Sequence, residues 1–222
     1  MSAVAINIEH LRAELPANVL LIAVSKTKPI EAIEEAYAAG QRAFGENYVQ
    51  EITEKQPALP ADIQWHFIGH LQSNKVKYIA PFVHCIHAVD SEKLLQEIDK
   101  QAGKSQRIIQ CLLQVHIADE ESKFGFLPNE IVDFCRSINF AQYTNVRIAG
   151  LMGMASFTDN AEQVRKEFQL LKSLFSQLKI EVFGASADFK EISMGMSGDW
   201  KMAIEEGSTM IRVGSAIFGT RN

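Results

Sequence analysis

The sequence predicts an α/β fold: a single (β/α)8 TIM barrel with an extra N-terminal helix. Three observations predict it. Eight apolar, strand-like runs recur along the 222 residues. Amphipathic helical stretches fill the gaps between them. The residues that fit neither pattern gather at the ends of the runs. Strand–helix alternation implies right-handed βαβ units on a parallel sheet, and eight strands suffice to close one. A doubly wound open sheet is the alternative architecture.

The first twenty residues, with Glu9 and Glu14 among apolar positions, read as the extra helix. The first strand run is "VLLIAVSK", followed by "IEAIEEAYAAG", a helix with Pro29 at its first turn and Gly40 as its stop. "RAFGEN" and "YVQEITEKQ" form the second unit, "IQWHFIGH" and "SNKVKYIAPF" the third. "HCIHAV" leads into "DSEKLLQEIDKQAG", where Asp90 or Ser91 caps the helix. "RIIQCLLQVHI" precedes "LPNEIVDFCRS", and "VRIAGLMGM" precedes "NAEQVRKEFQLLKSLFSQLK", capped by Asp159 or Asn160. "EISMGM" with "GDWKMAIEEG", then "MIRVGSAIFG", complete the set. The barrel uses residues 1–222 as one domain, with no linker, repeat or low-complexity stretch.

Composition narrows the function classes. Hydrophobic content of 47% and charged content of 22% are ordinary globular values. A net charge of −5 disfavours non-specific binding to nucleic acid or acidic membrane. No long apolar run marks a signal peptide or membrane span. Three cysteines without a CxxC spacing read as reduced thiols of a cytoplasmic protein. His66 with His70, and His84 with His87, lack the cysteines or acids that would complete a metal site, so no metal is expected.

The unusual residues are Lys26 at the end of the first strand, Gly45-Glu46-Asn47 at the second, Gly69-His70 at the third and Gly153 at the sixth. "SMGMSG" ends the seventh, and Arg212-Val213-Gly214-Ser215 the eighth. In a barrel these ends share one face, where active sites are built. The last two turns pair glycine with serine, Gly195, Ser197 and Gly198 in one, Gly214 and Ser215 in the other. Small residues let backbone N–H groups approach an anion, and these two loops are a frequent phosphate site of the fold. Taken singly, each glycine is simply what a tight turn needs.

A lysine closing a buried strand either emerges into water or is held for chemistry. Facing a phosphate cup, the Lys26 amine suits a Schiff base with a phosphate-bearing aldehyde, of which pyridoxal phosphate is the obvious one. Arg212 lies inside an apolar strand and needs a partner. Either it pairs with an acid such as Glu46, or it faces the pyridine nitrogen of that cofactor.

With "AVSKTKP", "FGENYVQE", "WHFIGHLQSNK", "ESKFGF", "GLMGM", "SMGMSGD" and "TMIRVGSAIFG" in this order, the chain resembles the pyridoxal phosphate homeostasis proteins over residues 5 to 222. The resemblance implies a barrel like the N-terminal half of alanine racemase, with pyridoxal phosphate on Lys26. It implies phosphate contacts from Ser197, Gly214 and Ser215, Arg212 facing the pyridine nitrogen, and Asn47 beside the ring. Lys123 matches a lysine proposed as a second cofactor contact. The chain departs from the pattern at His70, where many members carry proline, and at "GLMGMASF", where many continue into a proline-rich turn.

The function implied is a cytoplasmic, monomeric carrier that holds pyridoxal phosphate, releases it transiently to apoenzymes and maintains vitamin B6 homeostasis. The rival enzyme reading is a small racemase. Racemisation needs a second acid–base group, which related enzymes take from an additional β domain; Tyr48 or Tyr78 would have to substitute. A cofactor-free, aldolase-type Schiff-base enzyme is a third reading, disfavoured because its lysine sits near strand six.

Overall fold

In the computed structural model, which describes residues 2–119, 124–184 and 186–219, eight parallel strands close into a barrel in sequence order. Helix α1 (Ala3–Glu14) precedes β1 (Leu20–Val24). The units that follow are α2 (Ile30–Ala38), β2 (Ala43–Glu46), α3 (Val49–Lys55), β3 (Gln64–Phe67), α4 (Val76–Ile79) and β4 (Cys85–Val89). The second half runs through α5 (Glu92–Lys104), β5 (Ile109–Val115), α6 (Pro128–Ser137), β6 (Val146–Gly153), α7 (Ala161–Glu181) and β7 (Glu191–Ser193). Helix α8 (Trp200–Glu205), β8 (Met210–Val213) and the single turn α9 (Ser215–Phe218) end it. The open-sheet alternative fails at one seam: β8 pairs with β1 in parallel, Leu20 opposite Met210 through Ala23 opposite Val213.

The expected caps are made by Ser91, which accepts the Leu94 N–H, and by Asn160, which accepts that of Gln163. Most strands stop earlier than their apolar runs. β1 ends at Val24, so Lys26 lies two residues beyond it, in a turn.

Period-2 alternation divides each strand between two environments. Phe44, Trp65, Phe67, Ile86, Ile192, Ile211 and Val213 point outward and pack under the helices with Ile8, Leu95, Phe168 and Phe189. Ile22, Ala43, Cys85, Leu112, Ala149, Met152 and Met210 form a smaller cluster inside the barrel. No helix among the described residues is long and apolar enough to cross a membrane.

Candidate functional site at the barrel mouth

A cavity of about 530 Å³ opens at the C-terminal ends of the strands. Lys26, Asn47, Ser197, Arg212, Gly214 and Ser215, far apart in sequence, all line it. So do Met154, Ser156 and Phe157 after β6, and Asp199 after β7. Among the described residues, the ends of β4 and β5 do not contribute.

The half-buried Lys26 sits on a backbone held from both sides. Before it, Ser25 Oγ donates to Glu46 Oε1 at 2.7 Å, and the Ser25 carbonyl accepts from Lys55 Nζ at 2.9 Å. After it, Thr27 is in the left-handed region at φ 63°, which a β-branched residue rarely adopts. Its N–H donates to Glu51 Oε2 at 2.7 Å. Lys55 joins the two sides, its ammonium 2.8 Å from Glu46 Oε1 and 2.9 Å from Glu51 Oε2. Two residues after Lys26, Lys28 Nζ donates to the carbonyls of Phe218 and Gly219.

This clamp corrects the ion pair entertained for Arg212. Glu46 shares the outward face of β2 with Phe44, so its carboxylate meets Lys55 of α3 outside the barrel wall, not Arg212. Burial pushes the Glu46 carboxyl up, against the lowering effect of Lys55 and Ser25.

Arg212 points inward and is 4% exposed. Its Nη1 donates to Ser193 Oγ at 2.6 Å and its Nη2 to the Gly153 carbonyl at 2.9 Å. Both acceptors are neutral. Burial pushes the guanidinium down to about 10, with the Asp199 carboxylate countering, so it stays cationic at neutral pH.

The two glycine–serine turns abut. Ser197 Oγ accepts the Gly214 N–H at 3.2 Å, which leaves the hydroxyl proton of Ser197 for an outside acceptor. Gly195 adopts φ +95°, and a Cβ there would lie 2.6 Å from Ala203 Cβ, so this turn requires glycine. Gly198 faces open space, room that a side chain would occupy. Helix dipoles contribute little here: α9 has four residues and α8 six, so anion affinity rests on hydroxyls and turn N–H groups.

Asn47 Oδ1 is buried in the cavity wall without a hydrogen-bond partner among the described residues. Its position depends on Gly69, where a Cβ would fall 2.2 Å from the Asn47 carbonyl oxygen. A lysine, an unpaired amide atom, a buried cation and a hydroxyl-lined turn fit an aromatic aldehyde phosphate such as pyridoxal phosphate.

Other candidates fall elsewhere. His70 lies outside the cavity, 3.5 Å from Asp90 and stacked on Phe124. Tyr48 and Tyr78 are about half exposed and line a neighbouring groove. Lys123 lies outside the described residues. The three cysteines are buried and free, and burial pushes their thiols up.

The histidines pair across strands rather than along them. His66 Nδ1 is 2.9 Å from His87 Nε2, and His87 Nδ1 is 3.0 Å from Ser193 Oγ, the atom that Arg212 holds. Cys85 lies close by, its ligand atom and those of the two imidazoles all within 4.8 Å of one another. Ser193, Lys55 and Glu51 were not singled out from the sequence, although the inward phase shared by Met210 with Arg212 and by Glu191 with Ser193 was there to be read.

Residues 1–222 match the family described as "Alanine racemase, N-terminal domain". The chain is 42% identical over 224 residues to the pyridoxal phosphate homeostasis protein of Pasteurella multocida, covering 97% of this chain and 94% of that protein. It is 42% identical over 213 residues to the human protein of that name, covering 91% and 76%. Among solved structures, PipY of Synechococcus elongatus with PLP bound superposes with a TM-score of 0.87 at 39% identity, over 97% of this chain and all of that one. An alanine racemase from Clostridium difficile superposes at 0.75 with 13% identity, over 99% of this chain and 56% of that one, a likeness of fold alone.

Proposed function

The chain belongs to the pyridoxal phosphate homeostasis protein family, and from that premise we propose that it binds pyridoxal phosphate at the barrel mouth, carries it as a Schiff base on Lys26 and supplies it to apoenzymes. One observation carries the reading. A lysine from the first turn, a buried arginine from the last strand and two glycine–serine turns line one cavity of a size to enclose the cofactor. The cofactor, when bound, supplies a reactive aldehyde and an electron-withdrawing ring.

The chain's own residues divide the work. The clamp of Glu46, Lys55 and Glu51 fixes where the Lys26 amine is presented. Ser197, Gly214 and Ser215 hold the phosphate through charge-assisted hydrogen bonds. Asn47 meets a polar group beside the ring, and Arg212 donates at the ring nitrogen while withholding a proton from it, because a permanent cation disfavours a second positive charge nearby. Holding rather than converting follows. Among the described residues no tyrosine lines the cavity to serve as the second acid–base group of a racemase.

The same proposal takes residues 1–222 as one cofactor-binding domain acting as a cytoplasmic monomer that meets apoenzymes transiently. Borohydride treatment of the holoprotein, followed by peptide mapping, tests the attachment. The label belongs on the peptide containing Lys26 and is lost in Lys26→Ala. A label on Lys28 or Lys123, with Lys26→Ala still coloured, overturns it. Incubation with L-amino acids tests the carrier role: D-isomers appearing at about 1 s⁻¹ or faster would make it an enzyme.

A further inference from the structure

We propose that Ser193, His87 and His66 are positioning residues for Arg212, a buried line of hydrogen bonds that fixes the guanidinium and leaves nothing behind it able to hand a proton to the ligand. The inference deepens the reading above and rests on it.

The line crosses the barrel interior from β8 through β7 and β4 to β3, and its direction follows from counting protons. Arginine only donates, so Ser193 Oγ accepts from Arg212 Nη1. The Ser193 hydroxyl proton then needs an acceptor, and His87 Nδ1 lies 3.0 Å away. His87 therefore carries its proton on Nε2 and donates it to His66 Nδ1 at 2.9 Å. His66 in turn is protonated on Nε2, a buried atom with no partner among the described residues. The opposite direction would load two donors onto Ser193 Oγ and leave the hydroxyl proton, as well as His66 Nε2, without a partner. One unmet group is cheaper than two.

Adding a proton to either imidazole breaks this arrangement. A cationic His87 would have to donate through both nitrogens, turning Ser193 away from its role and placing a second cation beside Arg212. Burial and the neighbouring charges keep both rings neutral, His66 pushed down to about 3 and His87 well below its ordinary value. Arg212 thus carries the one formal charge in the line, at its cavity end. Two of its five donors are committed to Ser193 and Gly153, which sets the plane in which the others face the cavity.

Nitrogen-15 NMR of the ligand-free protein tests the line itself. His66 and His87 should both appear as neutral Nε2–H tautomers at neutral pH; an Nδ1–H form of His87 reverses the line and overturns the proposal. Pyridoxal phosphate labelled at its ring nitrogen tests the function. The bound ring should be hydrogen-bonded and unprotonated in the wild type. Ser193→Ala should change the ring-nitrogen shift and the His87 tautomer signal and weaken binding by about tenfold, the loss of one charged hydrogen bond. Ser193→Thr, which keeps the hydroxyl, should restore all three. Wild-type values in Ser193→Ala overturn the positioning role while the cofactor reading stands. A wild-type protein that takes up no pyridoxal phosphate overturns the cofactor reading and the ring-end role together, and the imidazole signals of the ligand-free protein still decide the direction of the line.

Discussion

The two faces of the barrel wall are built on opposite principles. Outside, under the helices, large apolar side chains such as Phe44, Phe67, Phe168 and Phe189 are fully buried. Inside, the apolar cluster is smaller, and a polar line of Arg212, Ser193, His87 and His66 runs beside it. The outer face contributes stability through area removed from water. The inner face accepts buried polar groups, which stabilise poorly but can be aimed. Stability and ligand binding are therefore expected to separate by mutation.

Acid is the largest test of the contrast, because the two imidazoles of the inner line are held well below their ordinary range. His66 and His87 are held neutral by burial, His66 down to about 3 from an ordinary 6.5. Unfolded, both take up protons below about pH 6.5. The unfolded chain then binds more protons than the folded one, so stability is full above about pH 6.5 and falls as pH drops toward about 3. Each imidazole contributes up to about 1.4 kcal/mol per pH unit in that window. Glu46 and Asp199, whose carboxyls burial raises, oppose this over part of the range, while His84, also pushed down by burial, adds to it. Urea midpoints at about pH 7.5 and about pH 5 should differ markedly, and replacing both histidines by glutamine should flatten the difference. An equal slope in that variant would mean that the inner line is not what titrates.

Next comes the outer face. Phe168→Ala should cost about 3–5 kcal/mol of stability by denaturant titration, through lost burial and a residual cavity, with cofactor affinity unchanged in the folded fraction. A matching loss of affinity would join the two faces. Ser197→Ala should do the reverse, weakening pyridoxal phosphate by about 1.5–3 kcal/mol in a binding titration while the ligand-free protein melts as before. The smallest effect belongs to Ser91→Ala, which removes the cap of α5 far from the cavity. It should cost about 1 kcal/mol of stability and leave binding untouched.

The fold was legible because it rests on local periodicity. Each of the eight apolar runs contains a strand, and Ser91 and Asn160 cap the helices where a capping residue precedes a helical pattern. The cavity was legible in outline, since Lys26, Asn47, Ser197, Arg212, Gly214 and Ser215 stand at strand ends and such ends converge. What supports them was not. His66 was read beside His70, its neighbour along the chain, whereas its partner is His87 on the next strand. Arg212 was offered Glu46, which the alternation of β2 sends to the outer face with Phe44. Lys55 ends an ordinary helix, and only the packing of α3 on β2 brings its ammonium to the Ser25 carbonyl. Pairings between strands depend on stagger and closure, which no window along one segment contains.

The seam between β1 and β8 also bears on how the protein comes into being. Lys26 follows the first strand and Arg212 lies on the last, and the two strands are neighbours only because the barrel closes there. Lys28 fastens the same seam by reaching the carbonyls of Phe218 and Gly219. A growing chain therefore has its lysine well before it has a cavity, which must wait until β8 has been made. A ligand that bridges the seam stabilises the closed form alone, by mass action. Occupancy of the cavity and pairing of the first and last strands are thus one coupled equilibrium.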